Sequence, residues 1–162
     1  MWTSHSPEQT IALGRCLGQL APAGMCIALN GDLGAGKTHL VQGVAQGALV
    51  ADPDLVSSPT FVLMNIYLAG PAPGAKTVYH LDAYRTHGSG DFEAVGLDEC
   101  LTDQGLVVIE WPQRVWDLLP ADHLQIEIVT TEPTQRVFTF SGTGPKAAAL
   151  AERLRQAAGK IA

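Results

Sequence analysis

A chain of 162 residues, 46% of them hydrophobic, can bury roughly two-thirds of its unfolded surface in one core, so one domain over residues 1–162 is expected without a metal or disulfide staple. Ten basic against sixteen acidic residues give a net charge of −6, and no basic run offers a nucleic-acid footprint, so tight direct binding to RNA or DNA is not expected. Cys16, Cys26 and Cys100 contain no C-x-x-C pair and read as small buried residues. No stretch approaches the roughly eighteen apolar residues of a membrane span, and "MWTSHSPEQ" has no signal-peptide pattern; the expected location is the cytoplasm, away from membranes.

In chain order, Ser6 before Pro7, Glu8 and Gln9 reads as a helix cap with proline at the first helical position, and predicts a helix from about Pro7 to Leu20. Met25 to Leu29 is a short apolar strand, central in a covered sheet. After a glycine-rich loop, Leu40, Val41, Val44, Ala45 and Ala48 recur at helical spacing. "LVADPDLVSSP" is a surface loop. "TFVLMNIY" and "KTVYHLD" are two antiparallel strands, and "GSGDFEAVGLDECL" is a short helix capped by Ser89 or Asp91. "LVVIEW" is a buried strand ending in a carboxylate; a hairpin from "HLQIEIVTT" to "QRVFTFS" then leads to a helix from Pro145 to about Ala158. The sum is a single α/β domain of the P-loop NTPase type, with a mixed parallel and antiparallel sheet and helices on both faces.

"GDLGAGKT" carries the chemistry. Gly31, Gly36, Lys37 and Thr38 satisfy G-x-x-x-x-G-K-[ST], between the strand and the helix that this loop requires. Its glycines let successive amides face a phosphate, and the helix start adds positive potential. Asp32, Leu33, Gly34, Ala35, Gly36, Lys37 and Thr38 are therefore the expected nucleotide-binding set. Lys37 supplies a charge to the β and γ phosphates and needs no partner in the core, and the Thr38 hydroxyl is a magnesium ligand. A carboxylate near the metal is also needed, and two strands end in one: Asp82 and Glu110. Thr60, in "SSPTF", stands where a switch segment would present a hydroxyl, though a strand start after proline fits as well. His39 and His80 flank the site and read as structural; Arg85, Arg114 and Arg136 are candidates for a second phosphate clamp.

"GDLGAGKT", "SSPTF", "YHLDAYR", "VGLDECL" and "VVIEWPQ" together resemble, in order and spacing and over nearly the whole chain, the bacterial TsaE (YjeE) ATPases of tRNA threonylcarbamoyladenosine formation. The resemblance implies ATP and Mg²⁺ as cofactors. It implies TsaB and TsaD as partners, with TsaD carrying the transfer to an anticodon-loop adenosine and tRNA met only through the complex. It further implies Thr38 and Glu110 as metal ligands, Asp82 and Thr60 in the active site, and Trp111 in the functional signature. Arg136 and the segment Glu8 to Thr10 match positions that approach the nucleotide. Ala83 replaces the larger apolar residue common in the family. A phosphotransferase for a small acceptor is the alternative, but the segment after Glu110 lacks an arginine-rich lid. A GTP switch lacks its [NT]-K-x-D guanine-reading motif.

Overall fold

The structure is a computed structural model and describes residues 1–59, 63–84, 90, 96–102 and 104–161. Its strands are β1 (Trp2–Ser4), β2 (Cys26–Gly31), β3 (Met64–Tyr67), β4 (Val78–Asp82), β5 (Leu106–Glu110), β6 (Leu124–Glu132) and β7 (Gln135–Gly142). The helices are α1 (Pro7–Leu20), α2 (Lys37–Gly47), α3 (Leu97–Thr102) and α4 (Pro145–Ala158). The strands form one sheet in the order β1-β7-β6-β2-β5-β4-β3. The four inner strands β6, β2, β5 and β4 run parallel, and β3, β7 and β1 attach antiparallel at the edges.

Strand alternation divides the core in two. Ile27, Leu29, Val108 and Ile126 face the three long helices, meeting Leu13 and Leu17 of α1, Leu40 and Val44 of α2, and Leu150 and Leu154 of α4. Cys26, Val107 and Ile109 face the other way, where Cys100 of α3 and Val115 cover them. Helices thus lie on both faces, unequally: α3 is short, and much of the second cover is chain with 3-10 turns at Pro112–Arg114 and Trp116–Leu118. Both faces being covered explains why β5 is buried throughout.

Two local features aim the site. First, α1 and α2 touch backbone to backbone: a Cβ at Gly43 would lie 2.1 Å from the Ile11 carbonyl oxygen, and one at Gly14 2.1 Å from that of Leu40. Glycine is required there by close approach. Second, the parallel register pairs Asp82 with Glu110 and Glu110 with Leu29, so both carboxylates end neighbouring strands beside the loop that follows β2.

The expected helices Pro7–Leu20 and Pro145–Ala158 occur with those bounds. Ser6 accepts from the Gln9 amide as the cap. Strand β2 runs to Gly31, two residues past the expected end. The edge strand β1 is absent from the sequence reading; Trp2 packs on Phe138 there, ring centroids 5.6 Å apart. The helix expected in "GSGDFEAVGLDECL" is represented by α3, and its proposed caps Ser89 and Asp91 lie outside the described residues.

Candidate active site

The loop between β2 and α2 opens on a cavity of about 560 Å³, whose wall includes Leu33, Gly34, Gly36, Lys37 and Thr38. Gly34 (φ 78°) and Gly36 (φ 98°) hold left-handed backbone. A Cβ at either would meet open space, so conformation rather than room demands glycine. The Ala35 amide donates to the Asp32 carbonyl (3.1 Å), and α2 begins at Lys37 with Gly36 as its cap, leaving first-turn amides without helical partners. Leu33 stands at the rim, 93% exposed.

Lys37 is only 6% exposed. Its Nζ donates to the carbonyls of Gly31 (2.8 Å) and Asp32 (3.0 Å), lies 3.8 Å from Glu110 Oε2, and sits 4.6 Å from the centre of the Trp111 ring. The expectation that this lysine has no partner in the core is thereby corrected. A buried ammonium needs acceptors, and the loop's own carbonyls supply them. Burial holds the Lys37 ammonium below the ordinary lysine range, opposed by the carboxylates of Glu110, Asp82 and Asp32.

Glu110 and Asp82 are both buried, side by side on the face toward α2. The Tyr84 amide donates to Asp82 Oδ1 (2.8 Å), and the His80 imidazole meets Glu110 Oε1 through Nε2 (2.8 Å). His80 is fully buried. The expectation that it is structural did not include this contact, although strand alternation puts His80 on the face that Asp82 shares. Trp111 follows Glu110 in left-handed backbone (φ 56°, ψ 49°), a conformation costing a non-glycine residue on the order of 1 kcal/mol or more. The turn carries the indole over Lys37 and against Tyr84, centroids 5.1 Å apart.

Further residues reach the cavity from two sides. Ser6 and Thr10 line it from α1, and Arg136 from the hairpin between β6 and β7. Arg136 Nη2 approaches the Gly34 carbonyl (3.5 Å), while Nη1 donates to the turn carbonyls of Glu132 and Pro133. The Thr10 hydroxyl is buried between Ser4 Oγ (2.9 Å) and the Ser6 carbonyl. Glu8, in the first turn of α1, is exposed and outside the lining, beside the lining residues Ser6 and His39. Arg114, on the 3-10 turn after β5, is exposed and likewise absent from the lining. His39 is at the exposed edge, and Ser58 lines the cavity although the sequence singled out only its neighbour Thr60. Thr60 and Arg85 lie outside the described residues.

The donors at this site are hard oxygens, two carboxylates and the Thr38 hydroxyl, which suits magnesium. Among the described residues no three His, Cys, Asp or Glu side chains form a self-sufficient metal cage. Magnesium fits such a pair because it takes one or two protein oxygens and completes its shell with phosphates and water.

Fold and site define the class: an α/β protein with a glycine-rich phosphate-type loop between its central strand and the following helix. Residues 4–138 match the family described as "Threonylcarbamoyl adenosine biosynthesis protein TsaE". The chain is 35% identical over 153 residues to the tRNA threonylcarbamoyladenosine biosynthesis protein TsaE of Bacillus subtilis (strain 168), covering 94% of this chain and 92% of that protein. It is 38% identical over 138 residues to the protein of the same name from Treponema pallidum (strain Nichols), covering 85% and 97%. The crystal structure of Bacillus subtilis YdiB superposes with a TM-score of 0.75 at 31% identity, covering 96% of this chain and 93% of that one. The chain belongs to the TsaE family. Among the described residues no helix is long and apolar enough to cross a membrane.

Proposed function

We propose that this chain is a magnesium-dependent ATPase of the cytoplasm that serves tRNA threonylcarbamoyladenosine formation, working with TsaB and TsaD and meeting tRNA only through them. The observation that carries the reading is the convergence on one cavity of Lys37, Glu110 and Asp82, with Lys37 Nζ 3.8 Å from Glu110. The loop amides and Lys37 would hold the polyphosphate, and Arg136, beside Gly34, would add charge at the rim. Glu110 and Thr38 would hold the metal, and Asp82, one strand over, would orient the attacking water. Bound magnesium supplies charge neutralisation to the leaving diphosphate. Trp111 closes the floor beside Lys37 and excludes water from that side. Thr60, outside the described residues, would add a hydroxyl by its place in the sequence two residues after Ser58.

A net charge of −6 supports delivery of tRNA by partners rather than by this chain. For a small-acceptor phosphotransferase, the phosphate-clamping arginines would have to crowd the cavity; among the described residues Arg136 is the arginine in its wall. Incubating γ-labelled ATP with the chain alone, with small acceptors, and with TsaB and TsaD tests the reading. Free phosphate, increased by the partners, is expected; label transferred to a small acceptor would overturn it.

A further inference from the structure

His80 is an expensive residue for its place. It is 0% exposed, and its Nδ1 is a buried polar atom without a hydrogen-bond partner among the described residues. A phenylalanine or leucine would fill the space without a bare ring nitrogen, so packing alone does not call for an imidazole. What the ring contributes is at its other end. Nε2 lies 2.8 Å from Glu110 Oε1, and because a carboxylate only accepts, Nε2 carries the hydrogen. With that tautomer Nδ1 bears no hydrogen, so no N–H group is left orphaned. The strands make the geometry rigid: His80 pairs with Val108 on β5, two residues before Glu110 on the same face, and the Tyr67 ring stands 6.4 Å away.

We infer that His80 is a positioning residue for Glu110, holding Oε1 so that Oε2, the oxygen nearer Lys37, is presented to the cavity in one orientation. This rests on the reading of Glu110 as a magnesium ligand. Hydrogen bonds to ligating carboxylates act in this way, and their loss lowers metal affinity about 10- to 100-fold.

The test measures nucleotide binding against magnesium concentration, by fluorescent ATP analogue, in the wild-type chain and in His80→Phe, His80→Gln and His80→Asn, with metal-free melting recorded for each. A glutamine amide nitrogen falls near the imidazole Nε2 position, whereas that of asparagine falls near Nδ1 and cannot reach Glu110. Half-saturating magnesium should rise at least about tenfold in His80→Phe and His80→Asn and stay within about threefold of wild type in His80→Gln. Nucleotide binding in chelator should be unchanged in all three, which a purely structural role would not produce. A wild-type magnesium requirement in folded His80→Phe overturns the inference. If that variant does not fold, equal requirements in the glutamine and asparagine variants overturn it. A wild-type chain whose binding ignores magnesium would instead overturn the underlying metal assignment.

Discussion

Replacing Gly43 by alanine pits helix propensity against packing, and the structure decides the sign. In an open helix alanine gains about 1 kcal/mol over glycine. At position 43 the new Cβ would lie 2.1 Å from the Ile11 carbonyl oxygen, 2.8 Å from Gly14 Cα and 2.9 Å from the Arg15 nitrogen, all backbone atoms of α1. None of these can rotate aside, so the helices must part by roughly 1 Å to restore ordinary contact. Overpacking costs about 1–3 kcal/mol, and with rigid neighbours the upper end applies, leaving a net loss of about 2 kcal/mol. For a chain of this size that lowers Tm by about 4–8 °C. Gly47→Ala, whose Cβ would meet the Arg15 carbonyl oxygen at 2.1 Å, should behave alike. Gly159→Ala, with its nearest atoms at 3.7 Å, should change stability by less than about 0.5 kcal/mol. Melting followed by circular dichroism reads all three. An unchanged or raised Tm for Gly43→Ala would refute the backbone contact that ties α1 to the loop-bearing helix.

Lys37→Ala removes a charge from the phosphates and a donor from the Gly31 and Asp32 carbonyls, so ATP affinity or turnover should fall at least tenfold, about 1.4 kcal/mol, in a titration of the folded variant. Because burial lowers the proton affinity of Lys37, the wild-type site is fully charged below its depressed value and loses ATP affinity as pH rises through it. Affinity flat up to the ordinary lysine value of 10.5 would contradict this. The isolated chain should bind tRNA no more tightly than the non-specific range of roughly 10⁻⁴ to 10⁻⁶ M, by filter binding across salt concentrations; a salt-dependent nanomolar complex would reverse the assignment of tRNA to the partners.

Much of this was legible in the letters. Pro7 and Pro145 marked two helix starts because proline suits the first turn, and the spacing from Gly31 to Thr38 marked the loop. Asp82 and Glu110 could be placed at strand ends because β4 and β5 end in polar letters after apolar ones. What escaped depends on neighbours far apart in sequence. The bond between His80 and Glu110 spans thirty positions and needs β4 and β5 in parallel register. The partners of Lys37 are backbone carbonyls, which no residue type announces. Strand β1 has three residues, too few for alternation to show. Glu8 and Arg114 are candidates by position or charge, and neither is in the cavity wall: Glu8 lies beside it, next to Ser6, and Arg114 is exposed on a 3-10 turn.

In the proposed function Glu110 would hold the metal of a bound nucleotide while Asp82 would serve the water. Glu110 ends a strand buried throughout, and its oxygen lies near Lys37; Asp82 is one strand further out, with the Tyr84 amide on its Oδ1. Titrating magnesium against bound ATP, with turnover recorded, in folded Glu110→Gln and Asp82→Asn separates the roles. Glu110→Gln should weaken magnesium-dependent binding and turnover together, at least about tenfold, whereas Asp82→Asn should keep binding within about threefold and lose turnover. A raised magnesium requirement in Asp82→Asn with none in Glu110→Gln would contradict the account.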